Sequence, residues 1–440
     1  MGGVGMSALA RILLSMGVEV SGSDIQRNGL LDELEGLGAQ VFIGHKASQV
    51  GDASLVVYST AIKDGNPEII EARERDIPVI HRGEMLAMIM DEKDGVAVAG
   101  SHGKTTTTSL VSAIFVEARW HPTIIVGGRI SAMQTNALLG SGRLIVAEAD
   151  ESDGSFLKLS PRYAIVTNID REHLDHYGDF SSLVAGFRGF LDRVKDLAAV
   201  CRDDPVIRGM KGEKMITYGF SPGVLYRACD VKKRDGFQSF TCMRADGELG
   251  LVKIRLFGDH NVLNSLGALA LALEMGVEWD AVTQALAAFS GVERRLTCRG
   301  EIGGITVVDD YGHHPTEIAC AIQAARERWP GRRLVVVFQP HRYSRTKALM
   351  KEFWDAFHGV DELLVMDVYR AGEVPNGVTG MDVWRGVKEK SCPQAFYLPH
   401  KDEVVEYLVC SLKCGDLLLT LGAGDVWKVG LELLEHLEIV

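Results

Sequence analysis

Residues 95 to 108 read G-V-A-V-A-G-S-H-G-K-T-T-T-T: an apolar run, a glycine-bracketed turn, a Lys-Thr pair and a helix-forming stretch. Glycines let backbone N–H groups approach phosphate oxygens. A helix that starts at such a turn adds the positive end of its dipole. In a loop of this kind the Lys104 ammonium neutralises the β- and γ-phosphates and the Thr105 hydroxyl ligates Mg2+. Gly100, Ser101, His102, Gly103 and Thr106 complete the cradle. Gly100 lies only three residues before Gly103, so the loop is shorter than the common P-loop spacing.

Four further strings carry reactive side chains. V-A-E-A-D-E-S-D at 146–153 ends an apolar run. In a parallel sheet its acids lie beside the phosphate loop, which makes Glu148 the candidate Mg2+ ligand, a hard oxygen donor for a hard cation. N-I-D-R-E-H-L-D-H-Y at 168–177 follows another strand candidate. His173 and His176 do not have the spacing of a zinc protease, but a strand's C-terminal end makes His173 a candidate second metal contact. D-D-Y-G-H-H-P at 309–315 precedes an amphipathic stretch, and Pro315 suits the first turn of a helix. Q-P-H-R-Y-S-R-T at 339–346 places His341, Arg342 and Arg345 where they could grip a carboxylate.

G-V-G-M-S-A at 3–8 fits G-x-G-x-x-A, and Asp24 follows at about the distance of a ribose-binding acid. A tight turn of that kind presents N–H groups to a diphosphate, whether of a sugar nucleotide or of a dinucleotide. The strand that should feed this loop is expected to be absent, because the chain begins at Met1.

These residues need a scaffold, and the chain shows one in three stretches of alternating strand and helix signals. The first, 1–92, has strand candidates at 18–21, 55–59 and 78–81. The second, 93–296, opens with 96–99 and continues with 144–147 and 163–167. From 198 to 256 it turns β-rich, which suggests a side sheet, and helices near 262–275 and 281–289 follow. The third, 297–440, has candidates at 306–309, 334–339, 362–367 and 417–421. Such alternation predicts α/β domains with parallel sheets covered on both faces. Residues 369 to 380, with three glycines and a proline, read as a long loop of the kind that is often functional.

Bulk properties narrow the function. With 440 residues and 46% apolar content, two or three domains can each bury a core. No run of eighteen apolar residues implies a membrane span, and no basic-then-apolar start marks a signal peptide, so a cytoplasmic location is expected. The net charge of −12 argues against nucleic acid as a partner. The eight cysteines form no C-x-x-C pair and are expected to be reduced. Cys410 and Cys414 would be one turn apart on a shared helix.

Taken in order, G-G-V-G-M-S, S-G-S-D, G-S-H-G-K-T-T-T-T, E-A-D-E-S-D, F-G-D-H-N-V-L-N, D-D-Y-G-H-H-P-T-E-I, F-Q-P-H-R-Y-S-R-T and L-G-A-G-D resemble the Mur ligase family over nearly the whole chain. The resemblance implies three domains: an N-terminal Rossmann-like UDP-binding domain, a central P-loop ATPase-like α/β domain with a side β-sheet, and a C-terminal Rossmann-like domain. It implies that ATP phosphorylates the carboxylate of UDP-N-acetylmuramate and that L-alanine's amine then attacks the acyl phosphate. It also implies a monomer or weak dimer with no membrane or nucleic-acid partner.

Carried over motif by motif, the resemblance assigns Lys104 and Thr105 to the triphosphate and Mg2+. Glu148 and His173 would hold metal, His173 at a second site. Asn261 and Asn264 would lie near adenine with His260 beside them. Arg294 or Arg295 would reach the phosphates, and Asp309 or Asp310 the ribose. Tyr311, His313, His341, Arg342 and Arg345 would form the amino-acid side, with His313 and the two arginines taking part in catalysis. Gly3, Gly5, Met6, Ser23, Asp24, Ser59, His81 and Arg82 would contact the UDP-sugar.

Two positions depart from the family pattern. Leu296 stands where an aromatic often follows the paired arginines, and Arg188 stands near where sibling ligases carry a carbamylated lysine. The second departure fits the alanine-adding branch. A branch that joins murein tripeptide to the same UDP-sugar is the nearest alternative. An NAD-dependent dehydrogenase would explain the first loop only, and a nucleotide-sensing P-loop switch would leave the third domain's histidines and arginines without a task.

Overall fold

The computed structural model describes residues 1–130, 135–234 and 236–439. Its contacts divide the chain into two compact units. One comprises 1–232, 237–255 and 261–290, and the other comprises 233–236, 256–260 and 291–440.

The larger unit begins with the helix Val4–Ser15 and two parallel strand pairs. β1 (Ser21–Asp24) pairs with β2 (Gln40–Ile43), and β3 (Val56–Tyr58) pairs with β4 (Val79–His81). The pairs form two separate two-stranded sheets. The sequence reading found β3 and β4, placed β1 three residues early and missed β2.

A ten-stranded sheet follows, made of β5 (Asp94–Ala99), β6 (Thr123–Ile130), β7 (Thr135–Leu138), β8 (Leu144–Glu148), β9 (Tyr163–Val166), β10 (Leu197–Cys201), β11 (Met215–Gly219), β12 (Tyr226–Arg234), β13 (Phe237–Arg244) and β14 (Gly247–Ile254). Its order is 14-13-12-11-10-9-5-8-6-7. The β-rich stretch after 198 therefore adds its strands to one edge of this sheet and is continuous with it. Val96–Ala99, Ile145–Ala147 and Ala164–Val166 are fully buried, as runs covered on both faces should be. Phe156, Phe187 and Phe190 pack together below, ring to ring at 5.2 and 5.4 Å.

β5 lies between β9 and β8, parallel to both, with Ala99 opposite Val166 and Val98 opposite Glu148. This order places three loops side by side: the phosphate loop after β5, the acidic turn after β8 and the histidine segment after β9.

The smaller unit carries a six-stranded sheet of β15 (Thr297–Ile302), β16 (Ile305–Asp310), β17 (Leu334–Phe338), β18 (Glu362–Val365), β19 (Ala395–Tyr397) and β20 (Leu417–Leu421), ordered 15-16-20-17-18-19. Only the β15–β16 pair is antiparallel. Alternate residues of one strand feed two cores. Val336 and Phe338 meet Ile318, Phe353 and Phe357 on one face, while Val335 and Val337 meet Leu408, Val429 and Leu433 on the other. Both faces are dry, so L-V-V-V-F shows no polar alternation.

All eight cysteines are free. The helix Lys401–Ser411 ends before Cys414, so Cys410 and Cys414 do not share it. No described helix is long and apolar enough to cross a membrane.

Candidate functional site

The turn after β5 is built by two glycines in the left-handed region. Gly100 has φ +137° and Gly103 φ +82°. A Cβ at Gly100 would lie 2.0 Å from Thr167 Oγ1, and one at Gly103 would lie 2.6 Å from Asn264 Oδ1. Any side chain there would collide as well as strain the backbone. The helix Lys104–Glu117 starts at Gly103 with no side-chain cap, so its first N–H groups point into the turn.

The turn is held from the neighbouring strand. Asn168 Oδ1 accepts the His102 N–H at 2.8 Å, and Asn168 Nδ2 donates to the His102 carbonyl at 3.0 Å. Thr167 Oγ1 donates to the same carbonyl at 2.6 Å. His102 Nε2 lies 3.0 Å from Asp170. The ring of His102 is thus part of the scaffold that shapes the loop.

Lys104 is folded back onto its own loop. Its Nζ donates to the Gly100 and Ser101 carbonyls at 2.6 and 3.2 Å and to Glu151 Oε1 at 2.8 Å. Glu151 is fully buried. Burial pushes the Glu151 carboxyl up, to about 7, against the opposing pull of Lys104. Burial works against the lysine's charge, but Glu151 and Asp150 outweigh it and raise Lys104 above its ordinary value.

Two sets of metal-type donors flank this lysine. Glu148, raised by burial, accepts the Gly127 N–H at 2.6 Å and interacts with Thr105. Glu151, Glu172 and His173 offer ligand atoms all within 4.8 Å of one another. His173 Nε2 is 3.7 Å from a carboxylate oxygen of each acid. Glu151 Oε2 is buried without a hydrogen-bond partner among the described residues. An orphaned, enclosed carboxylate oxygen suits a hard divalent cation better than it suits empty space. Of the two acids beside His173, sequence reasoning named neither. His176 turns away and packs edge-on against Tyr177, whose hydroxyl donates to the Glu151 carbonyl at 2.7 Å.

The side chains expected on the UDP side divide. Arg82 donates to Asp150 and Asp153 at 2.6 and 3.0 Å and lies close over Gly5, at the start of the first helix. His81 caps its own helix through Gly83 N–H, at 3.2 Å, and faces Asp153 at 3.5 Å. Gly5, His81 and Arg82 therefore gather at the acidic turn. Gly3 is the N-cap of the first helix, and Met6 lies within its first turn. Ser23 is tied to Glu68 and His45 at 2.8 and 2.9 Å. Asp24 accepts the Gly2 N–H at 2.7 Å. Ser59 accepts from Ile62 N–H in a turn. Asn264 donates to Asn261 at 3.2 Å and lies against Gly103 in the phosphate loop.

In the smaller unit the loops after β16, β20, β17 and β18 gather at one end of adjacent strands. Asp309 is buried, paired with Arg294 and Arg299 at 3.0 and 3.1 Å and bonded to Thr420 at 2.9 Å. Asp310, raised to about 6 by burial, accepts the Gly312 and Leu296 N–H groups at 2.7 and 2.8 Å. These carboxylates organise backbone and guanidinium groups rather than facing outward. Arg294 and Arg295 lie 5.0 and 5.4 Å from the centre of the Tyr311 ring. His260 is lowered to about 4, by burial first and by Arg295 second.

Beyond Tyr311, His313 bonds Glu317 and meets the His341 ring at 5.8 Å. His341 stacks on Tyr369 at 5.5 Å, with the ring planes 9° apart. Burial, followed by His313, Arg345, Arg342 and Arg294, lowers His341 to about 3. It is neutral at physiological pH, beside the charged guanidiniums of Arg342 and Arg345. Tyr369 and Glu373 carry no motif and escaped sequence reasoning; only the length of the 369–380 loop pointed to them.

The comparisons with known proteins cover the same regions. Family models described as Mur ligase family, catalytic domain; Mur ligase middle domain; and Mur ligase, glutamate ligase domain match residues 1–94, 98–272 and 294–424. The chain is 47% identical to a UDP-N-acetylmuramate–L-alanine ligase of Desulfosudis oleivorans, over 99% of this chain and 97% of that protein. The crystal structure of a UDP-N-acetylmuramate-alanine ligase from Thermotoga maritima superposes with a TM-score of 0.86 at 30% identity, covering 100% of this chain and 97% of that one. A murein peptide ligase from Psychrobacter arcticus shares the fold at a TM-score of 0.70 and 23% identity, covering 100% and 97% of the two chains.

Proposed function

The chain belongs to the Mur ligase family, and from that premise we propose that it joins L-alanine to the carboxylate of UDP-N-acetylmuramate at the expense of ATP. One observation carries the reading beyond the likeness to named relatives. A phosphate loop, an enclosed acid cluster and a metal-type histidine leave three adjacent parallel strands side by side. That grouping suits phosphoryl transfer and leaves a hydride-transfer enzyme unexplained.

A bare carboxylate is a poor electrophile, so the γ-phosphoryl group first moves onto a carboxylate oxygen. The bond to the β-phosphate oxygen breaks and ADP forms. The amine nitrogen then attacks the carbonyl carbon, the carbon–oxygen bond to phosphate breaks, and the amine loses a proton. Catalysis of this kind is mostly positioning and charge neutralisation. Lys104 exchanges its loop carbonyls for phosphate oxygens, and the Gly100–Gly103 turn presents its N–H groups to the same chain of phosphates. Thr105 with Glu148, and His173 with Glu151, would hold Mg2+, which supplies charge neutralisation when bound.

Arg82 and His81, with the turn at Gly3 and Gly5, serve the UDP-sugar. Arg342 and Arg345 receive the carboxylate of the amino acid, a pairing that guanidinium geometry favours. His313 and His341 line that side, His341 as an uncharged ring.

Phosphate release from ATP, measured with Mg2+, UDP-N-acetylmuramate and either L-alanine, murein tripeptide or no acceptor, tests the reading. Release that needs both the UDP-sugar and L-alanine supports it. Release that needs the tripeptide instead transfers the chain to the tripeptide-adding branch, and release indifferent to acceptor makes it a simple nucleotidase.

A further inference from the structure

Arg342 has a backbone no arginine adopts for its own sake: φ is +70° and ψ +132°. Positive-φ backbone at a non-glycine residue is strained and persists only where the surroundings impose it. The surroundings here are one segment, residues 369 to 373. Tyr369 N–H donates to the Pro340 carbonyl at 2.8 Å, and Arg342 N–H donates to the Tyr369 carbonyl at 2.9 Å. These two bonds form a parallel bridge between His341 and Tyr369.

The Tyr369 ring lies flat on His341. Gly424 also lies against this ring, and a Cβ there would come within 2.7 Å of it. The chain then turns through Ala371 and Gly372, both at positive φ. That turn returns Glu373 to the start of the helix Tyr343–Ala348. Glu373 accepts the Ser344 N–H at 3.0 Å and the Ser344 hydroxyl at 2.5 Å. The same carboxylate faces Arg342 Nε at 3.6 Å. Burial pulls its pKa up, but Ser344 and then Arg342 hold it below its ordinary value.

We propose that Glu373 is a positioning residue for the acceptor amino acid: with Tyr369 it fixes Arg342 in its strained backbone and holds the guanidinium by its Nε edge, leaving the terminal nitrogens to take the acceptor's carboxylate. The inference rests on the functional reading given above. A guanidinium steadied at Nε still has its two outer nitrogens for a paired contact. The short helix that carries Arg345 is fixed by the same carboxylate through Ser344, so one residue sets the aim of both arginines.

The test is a steady-state comparison of the wild type with Glu373→Ala, Glu373→Gln and Ser344→Ala, varying L-alanine, ATP and UDP-N-acetylmuramate in turn. Removing an orienting carboxylate should raise the KM for L-alanine about tenfold or more in Glu373→Ala, while the other two KM values stay within about twofold. Glu373→Gln keeps an acceptor oxygen for Ser344 and should recover most of that loss, to within about threefold of wild type. Unchanged KM for L-alanine in Glu373→Ala, or an equal rise in all three KM values, overturns the proposal. If Glu373→Ala does not fold, Ser344→Ala decides: it must raise the KM for L-alanine selectively, and a wild-type value overturns the proposal. A wild-type protein that shows no L-alanine-dependent release overturns the functional reading, whereas an active wild type with an indifferent Glu373 overturns the clamp alone.

Discussion

Lys104 Nζ lies 2.8 Å from Glu151 Oε1, with the acid wholly enclosed and the lysine nearly so. Breaking a buried pair by removing one partner typically costs about 3–5 kcal/mol, because the other charge is left uncompensated. Lys104→Ala should therefore lose stability as well as at least about a hundredfold in turnover, the loss expected of a transition-state charge partner. The double variant Lys104→Ala/Glu151→Gln should regain the stability but none of the turnover. Urea unfolding and phosphate release on the three proteins separate the two effects; near-normal turnover in Lys104→Ala would remove the phosphate-loop assignment.

His173 is one of three clustered donors, with Glu172 and with Glu151, whose Oε2 has no hydrogen-bond partner among the described residues. Loss of one ligand commonly weakens a metal site about tenfold or more. His173→Ala is expected to raise the Mg2+ concentration needed for half-maximal phosphate release by about that factor. A Mg2+ titration that overlays the wild-type curve would deny His173 a role in holding metal.

Arg82 holds Asp150 well below the ordinary carboxylate range, against the cost of burial. A depressed acid contributes stability that is fully present above its unfolded pKa, near 4, and is lost as pH falls through the folded value. Arg82→Ala should thus cost the protein stability at pH 7, and the gap between variant and wild type should narrow once the pH drops below about 4. Denaturant unfolding at both pH values measures the gap. The same variant should raise the KM for the UDP-sugar, which follows separately from the place of Arg82 over Gly5.

His341 also loses stability as pH falls, but over a higher window. Its folded pKa is lowered to about 3, so between that value and an unfolded value near 6.5 the unfolded chain binds the extra proton. Stability should then fall as pH drops from about 6.5 towards 4. His341→Asn, which cannot be protonated, should show a shallower decline over that window. Equal slopes for the two proteins would mean that the ring is not held neutral.

Much of the scaffold was legible because burial on both faces leaves a compositional trace. L-V-V-V-F at 334–338 and L-L-L-T-L at 417–421 are strands whose every residue is buried, and both were found. β2 was missed for the converse reason: Q-V-F-I has two exposed ends and no clear alternation. β19 spans only three residues at a sheet edge. The tight turn at Gly100–Gly103 could be read because its geometry requires glycine at both positions. The acidic turn could be located but not resolved, since nothing in E-A-D-E-S-D says which carboxylate points inward. The backbone after β8 decides that, turning Glu151 under Lys104 and Asp150 towards Arg82. Tyr369 was out of reach because it lies 28 positions from His341 in the chain and meets it only after β17 and β18 have paired.

The order β9, β5, β8 also has a practical side. All three reactive loops leave the same end of the strands, and the turn into β8 lies at the other end. There the chain enters β8 through Ser141 and Arg143, the latter with 88% of its side chain in solvent. A dye or an affinity tag joined at Ser141 is separated from the phosphate loop by the length of a strand. Single-molecule reporters and surface tethers can therefore be mounted on this enzyme from beneath, leaving the substrates' approach clear.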